Sequence, residues 1–178
     1  MFIDSIPGFL SNDEPKHLYN LTKVYNSLGC VGVEIGSFQG RSSAIIAQAI
    51  PNGTLYCIDL WDNRVEKNLN GLVSSVDEFQ RNISNYTNIC TIQGNSPECV
   101  SGWSEIIDFI FIDASHANPN DRKNIDFWLP HIRSGGSLIG HDYDPDMFPD
   151  VVENARYLES LLGVDIEING SIWSIKIP

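Results

Sequence analysis

Basic side chains are scarce in this chain: 11 Lys and Arg stand against 23 Asp and Glu, for a formal net charge of −12 over 178 residues. The few cations are scattered, which argues against a surface that tracks nucleic-acid phosphates. Long apolar runs are missing too; no stretch approaches the roughly 20 residues that cross a bilayer as a helix, so no membrane partner is expected. Met1-Phe2-Ile3-Asp4-Ser5 has no basic segment followed by an apolar one. No export signal is read there, and a cytoplasmic location is expected. The four cysteines, Cys30, Cys57, Cys90 and Cys99, form no C-x-x-C pair, which argues against a disulfide framework or a zinc site. Cys57 and Cys90 fall in strand-like runs, where a thiol behaves as a small buried hydrophobe. With no repeat and no linker, residues 1–178 read as a single domain large enough for a real core: 1–29 is an N-terminal helical segment and 30–178 the core.

What is present is organised around Val31-Gly32-Val33-Glu34-Ile35-Gly36-Ser37-Phe38-Gln39-Gly40-Arg41-Ser42. Val31, Val33 and Ile35 give a buried strand. Gly36 and Gly40 bracket a tight bend where backbone can approach a ligand. Ser42, Ser43 and Ala44-Ile45-Ile46-Ala47 then open a helix whose free N–H groups face that bend. Such a corner suits a nucleotide-like ligand. Its spacing is acid-x-Gly-x-x-x-Gly, not the G-x-G-x-x-G of dinucleotide folds. An acid at Glu34 suits a ligand with a cationic amino group and would repel a pyrophosphate lying on it.

Around this centre the chain reads in order. Ser11 and Glu14 have capping-box spacing, and Leu18, Leu21, Val24 and Leu28 continue a helix that Gly29 ends. Thr54 to Ile58 is a second strand closed by Asp59, a position where a carboxylate accepts from ribose hydroxyls. Asn63 to Asn70 is a polar loop, and Asn68 to Asn85 is helical, with Leu72, Val76, Phe79 and Ile83 on one face and Gly71 weakening it. Ile89 to Gln93 is a third strand, ended by Gly94-Asn95-Ser96. Ile106 to Ile112, apolar almost throughout, is a fourth strand buried on both faces, and Asp113-Ala114-Ser115-His116 follows it. Asn118 to Ile132 is a helix and Ser134-Gly135-Gly136 a tight connector. Ser137 to Gly140 is a fifth strand that runs into His141-Asp142-Tyr143. Val151 to Leu162 is a helix, Val164 to Ile168 a half-exposed strand, Asn169-Gly170 a hairpin signal, and Ile172 to Ile177 the last strand.

Five β-α units and a closing hairpin predict an α/β fold: a Rossmann-like, doubly wound, seven-stranded, mostly parallel sheet with one antiparallel strand and helices on both faces. Right-handed crossovers put the ends of all parallel strands on one edge, with a crevice where the order reverses between the first and fourth strands. Glu34, Gly36, Asp59, Asn95, Asp113, His116, His141 and Asp142 all fall on that edge.

The residues Glu34 to Ser42, Ile58-Asp59, Ile112 to His116 and Gly135 to Tyr143 together resemble the class I S-adenosylmethionine-dependent methyltransferases. Within them the chain is similar to the Methyltransf_24-type domains and the macrocin-like sugar O-methyltransferases. The resemblance implies the strand order 3-2-1-4-5-7-6 and S-adenosyl-L-methionine as cofactor. It implies contacts to that cofactor from Glu34, Gly36, Ser37, Gly40, Ser42, Asp59, Asn95, Ser96 and Asp113, with Leu60 and Trp61 flanking the adenine. Trp61 reads equally as a core aromatic. The family most often has an acid where Asn95 stands; Asn keeps the acceptor oxygen. Metal-dependent relatives place an acid after strand four and an acid-acid or acid-amide pair after strand five around Mg²⁺. Here the set is Asp113, His141 and Asp142, and the histidine shifts the expected ion from Mg²⁺ toward Mn²⁺ or Fe²⁺. Methyl transfer to oxygen needs a base, and His116 and His141 titrate near working pH; Tyr143 is a further substrate-side candidate. The acceptor is expected to be a small hydroxylated molecule such as a sugar, met by residues 1–11, 63–71 and 144–150. A homo-oligomer lending a lid would suit so small a domain. The competing readings are an NAD-dependent Rossmann oxidoreductase, which the glycine spacing and end hairpin disfavour, and a non-catalytic cofactor-binding module.

Overall fold

A computed structural model describes residues 5–62 and 74–178. The expected loop at 63–70 and residues 68–73 of the expected helix lie outside the described residues. The sheet is built on β1 (Val31–Ile35), with β2 (Thr54–Asp59) and β3 (Ile89–Gln93) to one side. On the other side lie β4 (Ile107–Ile112), β5 (Ile132–Gly140), β7 (Ile172–Lys176) and, at the far edge, β6 (Glu167–Asn169). The seven strands run in the order β3-β2-β1-β4-β5-β7-β6. β1 pairs in parallel with β2 and β4, β2 with β3, and β4 with β5, whereas β7 is antiparallel to both β5 and β6. This is the Rossmann-like order expected from the sequence.

Strand alternation divides the core in two. Phe109 and Phe111 of β4 point to the face covered by α1 (Glu14–Lys23), α2 (Arg41–Ala49) and α3 (Val76–Ile83), where Leu18, Ile46 and Phe79 are fully buried against them. Ile110 and Ile112 point to the face covered by α4 (Asn120–Trp128) and α5 (Pro149–Leu162), among Val33, Trp128, Leu138 and Leu158. Truncating Phe109 to Ala would cost about 3–5 kcal/mol, as for other large buried aromatics. No described helix is long and apolar enough to cross a membrane.

Several local expectations shift. α1 starts at Glu14 with Asp13 at its N-cap, so Ser11 is not the cap, although its N–H does bond back to Glu14. The helix stops at Lys23, which leaves Val24 and Leu28 exposed and off the apolar stripe. α4 ends at Trp128 and tightens into a 3₁₀ turn over Leu129–His131, because Pro130 has no N–H to continue it. β5 begins at Ile132 and absorbs the Ser134-Gly135-Gly136 connector: Ile107 pairs with Ile132, and after an irregularity Phe109 pairs with Ser137. β6 is three residues long and fully exposed. Cys57 is buried as expected, but Cys90 is exposed because β3 is an edge strand.

Candidate active site

The carboxyl ends of β1, β2, β3, β4 and β5 open onto one cavity of about 790 Å³. One half is walled by Gly36, Phe38, Asp59, Leu60, Asn95 and Ser96; the other by Asp113, His116, His141 and Asp142 with Glu14 and Ser171. Gly36 has φ +89, and a Cβ there would fall 1.9 Å from the Asp113 carbonyl oxygen. Only glycine lets the loop after β1 touch the loop after β4. Gly40 caps α2 in the left-handed region, and its missing Cβ makes room for Ile83 and Phe79. Phe38 is held by a backbone bond to Asp59 Oδ2 at 2.8 Å, and its ring meets Phe9 at 5.5 Å between centroids. Asp59 Oδ1 accepts the Trp61 N–H at 2.7 Å. Burial pushes the Asp59 carboxyl up from its ordinary value, against the N–H groups of Trp61, Phe38 and Ser37.

Expected cofactor residues separate here. Gly36, Asp59, Leu60, Asn95, Ser96 and Asp113 line the cavity. Glu34, Ser37, Gly40, Ser42 and Trp61 are not among its lining residues. Glu34 alternates away from Val33 and Ile35, toward the start of α2, where the Ser43 hydroxyl donates to it. It is fully buried, and burial raises its pKa. Its place is beneath the glycine loop. Ser37 and Ser42 face a separate cleft of about 20 Å³ under residues 7–10. Trp61 is a core aromatic, with its ring 4.7 Å from Phe79 and its Nε1 donating to the Phe38 carbonyl at 2.7 Å. Tyr143 lies outside the wall; its ring packs at the margin of the α4/α5 core.

The second half is a charge cluster. His116 Nε2 lies 2.9 Å from Asp142 Oδ2 and 3.3 Å from Asp113 Oδ1. His141 Nδ1 lies 3.3 Å from Asp142 Oδ2 and 3.5 Å from Asp113 Oδ1. On its other side, His141 Nε2 meets Ser171 Oγ at 2.9 Å and Glu14 Oε2 at 3.4 Å. Burial opposes charge on both imidazoles, but the Asp113 and Asp142 carboxylates beside them outweigh it, raising His116 to about 9 and His141 to about 11. The same contacts hold Asp113 and Asp142 below the usual carboxylate range against their own burial. Glu14 is also buried, yet hydrogen bonds from Ser11 and Ser171, then the His141 charge, lower it to about 2. Asp113, His141 and Asp142 can each turn one ligand atom to a common point, all within 4.8 Å of one another.

Glu14 and Ser171 stand in the wall of this cavity, and sequence reasoning did not bring them there. Glu14 was legible only as a helix-start acid and Ser171 only as a hairpin residue. Their meeting spans 157 positions, and no local pattern records it. Phe9, Met147 and Phe148 also line the cavity, within segments expected to meet the acceptor.

The strand order, the reversed seventh strand and the glycine loop facing an acid-ended second strand define a Rossmann-like methyltransferase. Residues 33–143 match the Methyltransf_24 model, a methyltransferase domain, and the chain belongs to that family of class I S-adenosylmethionine-dependent methyltransferases. Solved structures share the fold at low identity. The O-methyltransferase from Bacillus cereus, in complex with SAH, superposes with a TM-score of 0.66 at 17% identity, over 97% of this chain and 85% of that one. TomG from Streptomyces achromogenes, an O-methyltransferase involved in tomaymycin synthesis and in complex with SAM, gives 0.67 at 17%, over 96% and 82%. MycE, a methyltransferase of the mycinamycin biosynthetic pathway in complex with Mg, SAH and mycinamycin VI, gives 0.61 at 18%, over 91% of this chain and 45% of MycE.

Proposed function

We propose that this protein transfers the methyl group of S-adenosyl-L-methionine to a hydroxyl of a small acceptor, of which sugars are the first class to try, at a site that also takes a divalent cation. The observation that carries the reading is the convergence of Asp113, His116, His141 and Asp142 on one wall of the cavity, across from the glycine loop and Asp59. The cofactor's adenosine half would lie along Gly36, Asp59, Leu60 and Asn95. The Asp59 oxygens take the backbone N–H groups of Phe38, Trp61 and Ser37, and a carboxylate's remaining lone pair would accept from a ribose hydroxyl.

The residues fit a cation. His141 Nδ1 is buried with no hydrogen-bond partner and faces two carboxylates. Asp113, Asp142 and His141 would hold the ion, and a mixed carboxylate–imidazole set suits Mn²⁺ as well as Mg²⁺. When bound, it would act as a Lewis acid that orients the acceptor oxygen and lowers its pKa. His116 is the better placed base, and it becomes one when a cation held by Asp113 and Asp142 offsets the two carboxylates that otherwise keep it protonated. Its side chain is 30% exposed against 4% for His141, its ring lies 5.0 Å from Phe148, and it borders the space an acceptor would fill. Met147 and Phe148 would cover the apolar side of that acceptor.

Calorimetry with S-adenosylhomocysteine and with NAD⁺, then mass spectrometry of a panel of hydroxylated acceptors, tests the reading. The expected result is binding of S-adenosylhomocysteine alone and a 14-Da gain on at least one hydroxyl (the mass of a methylene, by chemistry) that EDTA stops and Mn²⁺ or Mg²⁺ restores. Binding of NAD⁺ in place of S-adenosylhomocysteine would overturn it.

A further inference from the structure

Two side chains outside the family-matched span, Glu14 and Ser171, close on the buried edge of His141. Ser171 Oγ lies 2.7 Å from Glu14 Oε1 and 2.9 Å from His141 Nε2. An ionised carboxylate oxygen only accepts, so the single hydroxyl proton of Ser171 goes to Glu14. The hydroxyl oxygen is then left to accept from Nε2–H. Glu14 is itself fixed in place: Oε1 takes the Ser171 N–H at 2.8 Å, and Oε2 takes the Ser11 N–H at 2.8 Å. Nε2 is therefore a protonated nitrogen of His141. Its other nitrogen, Nδ1, faces Asp113 at 3.5 Å and Asp142 at 3.3 Å, where a cation would take the place of a proton.

We propose that Ser171 and Glu14 are positioning residues: they hold a proton on His141 Nε2 and present the Nδ1 lone pair to a divalent cation at Asp113 and Asp142. The inference rests on the cation reading given above. A carboxylate or amide in place of His141 would need no such support, because its ligand oxygen does not depend on a tautomer. An imidazole does, and the hydrogen bond on one ring nitrogen decides what the other can offer a metal. The relay thus accounts for a histidine at this position, where a hard oxygen donor would serve unaided.

Titration of the metal-free protein with Mn²⁺, read by the electron paramagnetic resonance of the free ion, tests this without reference to turnover. Wild type is expected to bind Mn²⁺. Ser171→Ala is expected to bind it about 10–100-fold more weakly, and Glu14→Gln about tenfold more weakly or worse. Ser171→Thr, which keeps the hydroxyl, is expected to stay within about threefold of wild type. Thermal melts of the metal-free variants separate loss of fold from loss of tuning. Where Glu14→Gln does not fold, the two Ser171 variants carry the test. Wild-type binding with equal affinity in Ser171→Ala, or an equal loss in Ser171→Thr, overturns the positioning role and leaves the cation reading standing. No Mn²⁺ binding by wild type overturns both.

Discussion

At the amino end of the sheet, Asp108 accepts the Val31 N–H at 2.8 Å and the Arg133 Nε–H at 2.6 Å, and the Tyr25 hydroxyl joins Ser137 at 2.6 Å and Lys176 Nζ at 2.7 Å. At the carboxyl end, three acids and two imidazoles crowd one wall of an open cavity. Both clusters pair acids with cations and hydroxyls, but the first has no part in the cavity and the second forms one of its walls. Backbone geometry follows the same division. Phe38, Trp61, His116 and Asp142, in the loops after β1, β2, β4 and β5, all have φ between 45 and 58. At the amino end the positive φ values fall on Gly29 and Gly135. Non-glycine residues in that region store of order 1–3 kcal/mol each. The carboxyl end keeps side chains where glycine would be easier; the amino end does not. Positive-φ side chains and the acid–imidazole cluster coincide on the edge that holds the cavity, which is the edge proposed above as the working one.

The contrast can be broken by exchange of effects. The largest expected effect is at the carboxyl end. His116→Ala should lower methyl transfer by about a hundredfold or more while S-adenosylhomocysteine affinity stays within a few-fold, read by steady-state kinetics and calorimetry. Its melting temperature should fall modestly, because Ala keeps a Cβ at φ 51 and the Asp113 and Asp142 carboxylates lose a partner. Asp108→Ala should do the reverse: a loss of about 1–3 kcal/mol in urea denaturation, because the Val31 N–H and Arg133 lose their acceptor, with turnover per folded molecule unchanged. A collapse of turnover in Asp108→Ala would erase the distinction between the ends. Gly135→Ala should cost about 1 kcal/mol or more of stability by the same measurement, as φ is 72 there and activity does not depend on that turn. The smallest effect is chemical. Burial, then the charge and hydrogen bond of Asp108, push the Cys30 thiol up to about 12, so native Cys30 keeps its proton. At pH 9 iodoacetamide should alkylate exposed Cys90 and spare Cys30 until the protein unfolds. As an acid raised in the folded state, Cys30 leaves stability untouched below about 9 and erodes it from there toward 12, where only the unfolded thiol ionises.

Most of the sheet was legible because its signals are short-range. Val31, Val33 and Ile35, the apolar run through β4 and the glycine after β1 each name their element within a few residues. The order of strands needed the resemblance as well, since nothing local in Ile172-Trp173-Ser174-Ile175 states that β7 inserts beside β5. The acid and histidine cluster was legible as a set on one edge, because parallel strands deliver their ends there. Which oxygen faces what was not. Glu34 reads as a ligand acid by position, yet alternation turns it to the start of α2. Trp61 reads equally as core or adenine contact, and only its contact with Phe79 decides for the core. The end of α1 at Lys23 escaped detection because Val24 and Leu28 continue a helical stripe that no tertiary contact uses.

The bond between Ser171 and Glu14 joins residues 157 positions apart. During translation the glycine loop, the acid closing β2 and the loop after β4 have all left the ribosome before the closing hairpin exists. A chain that has not yet made that hairpin leaves His141 without its support. It also leaves β5 without its β7 neighbour and Ile172 and Trp173 without their place in the core, so the support of His141 arrives with the strand that completes the sheet.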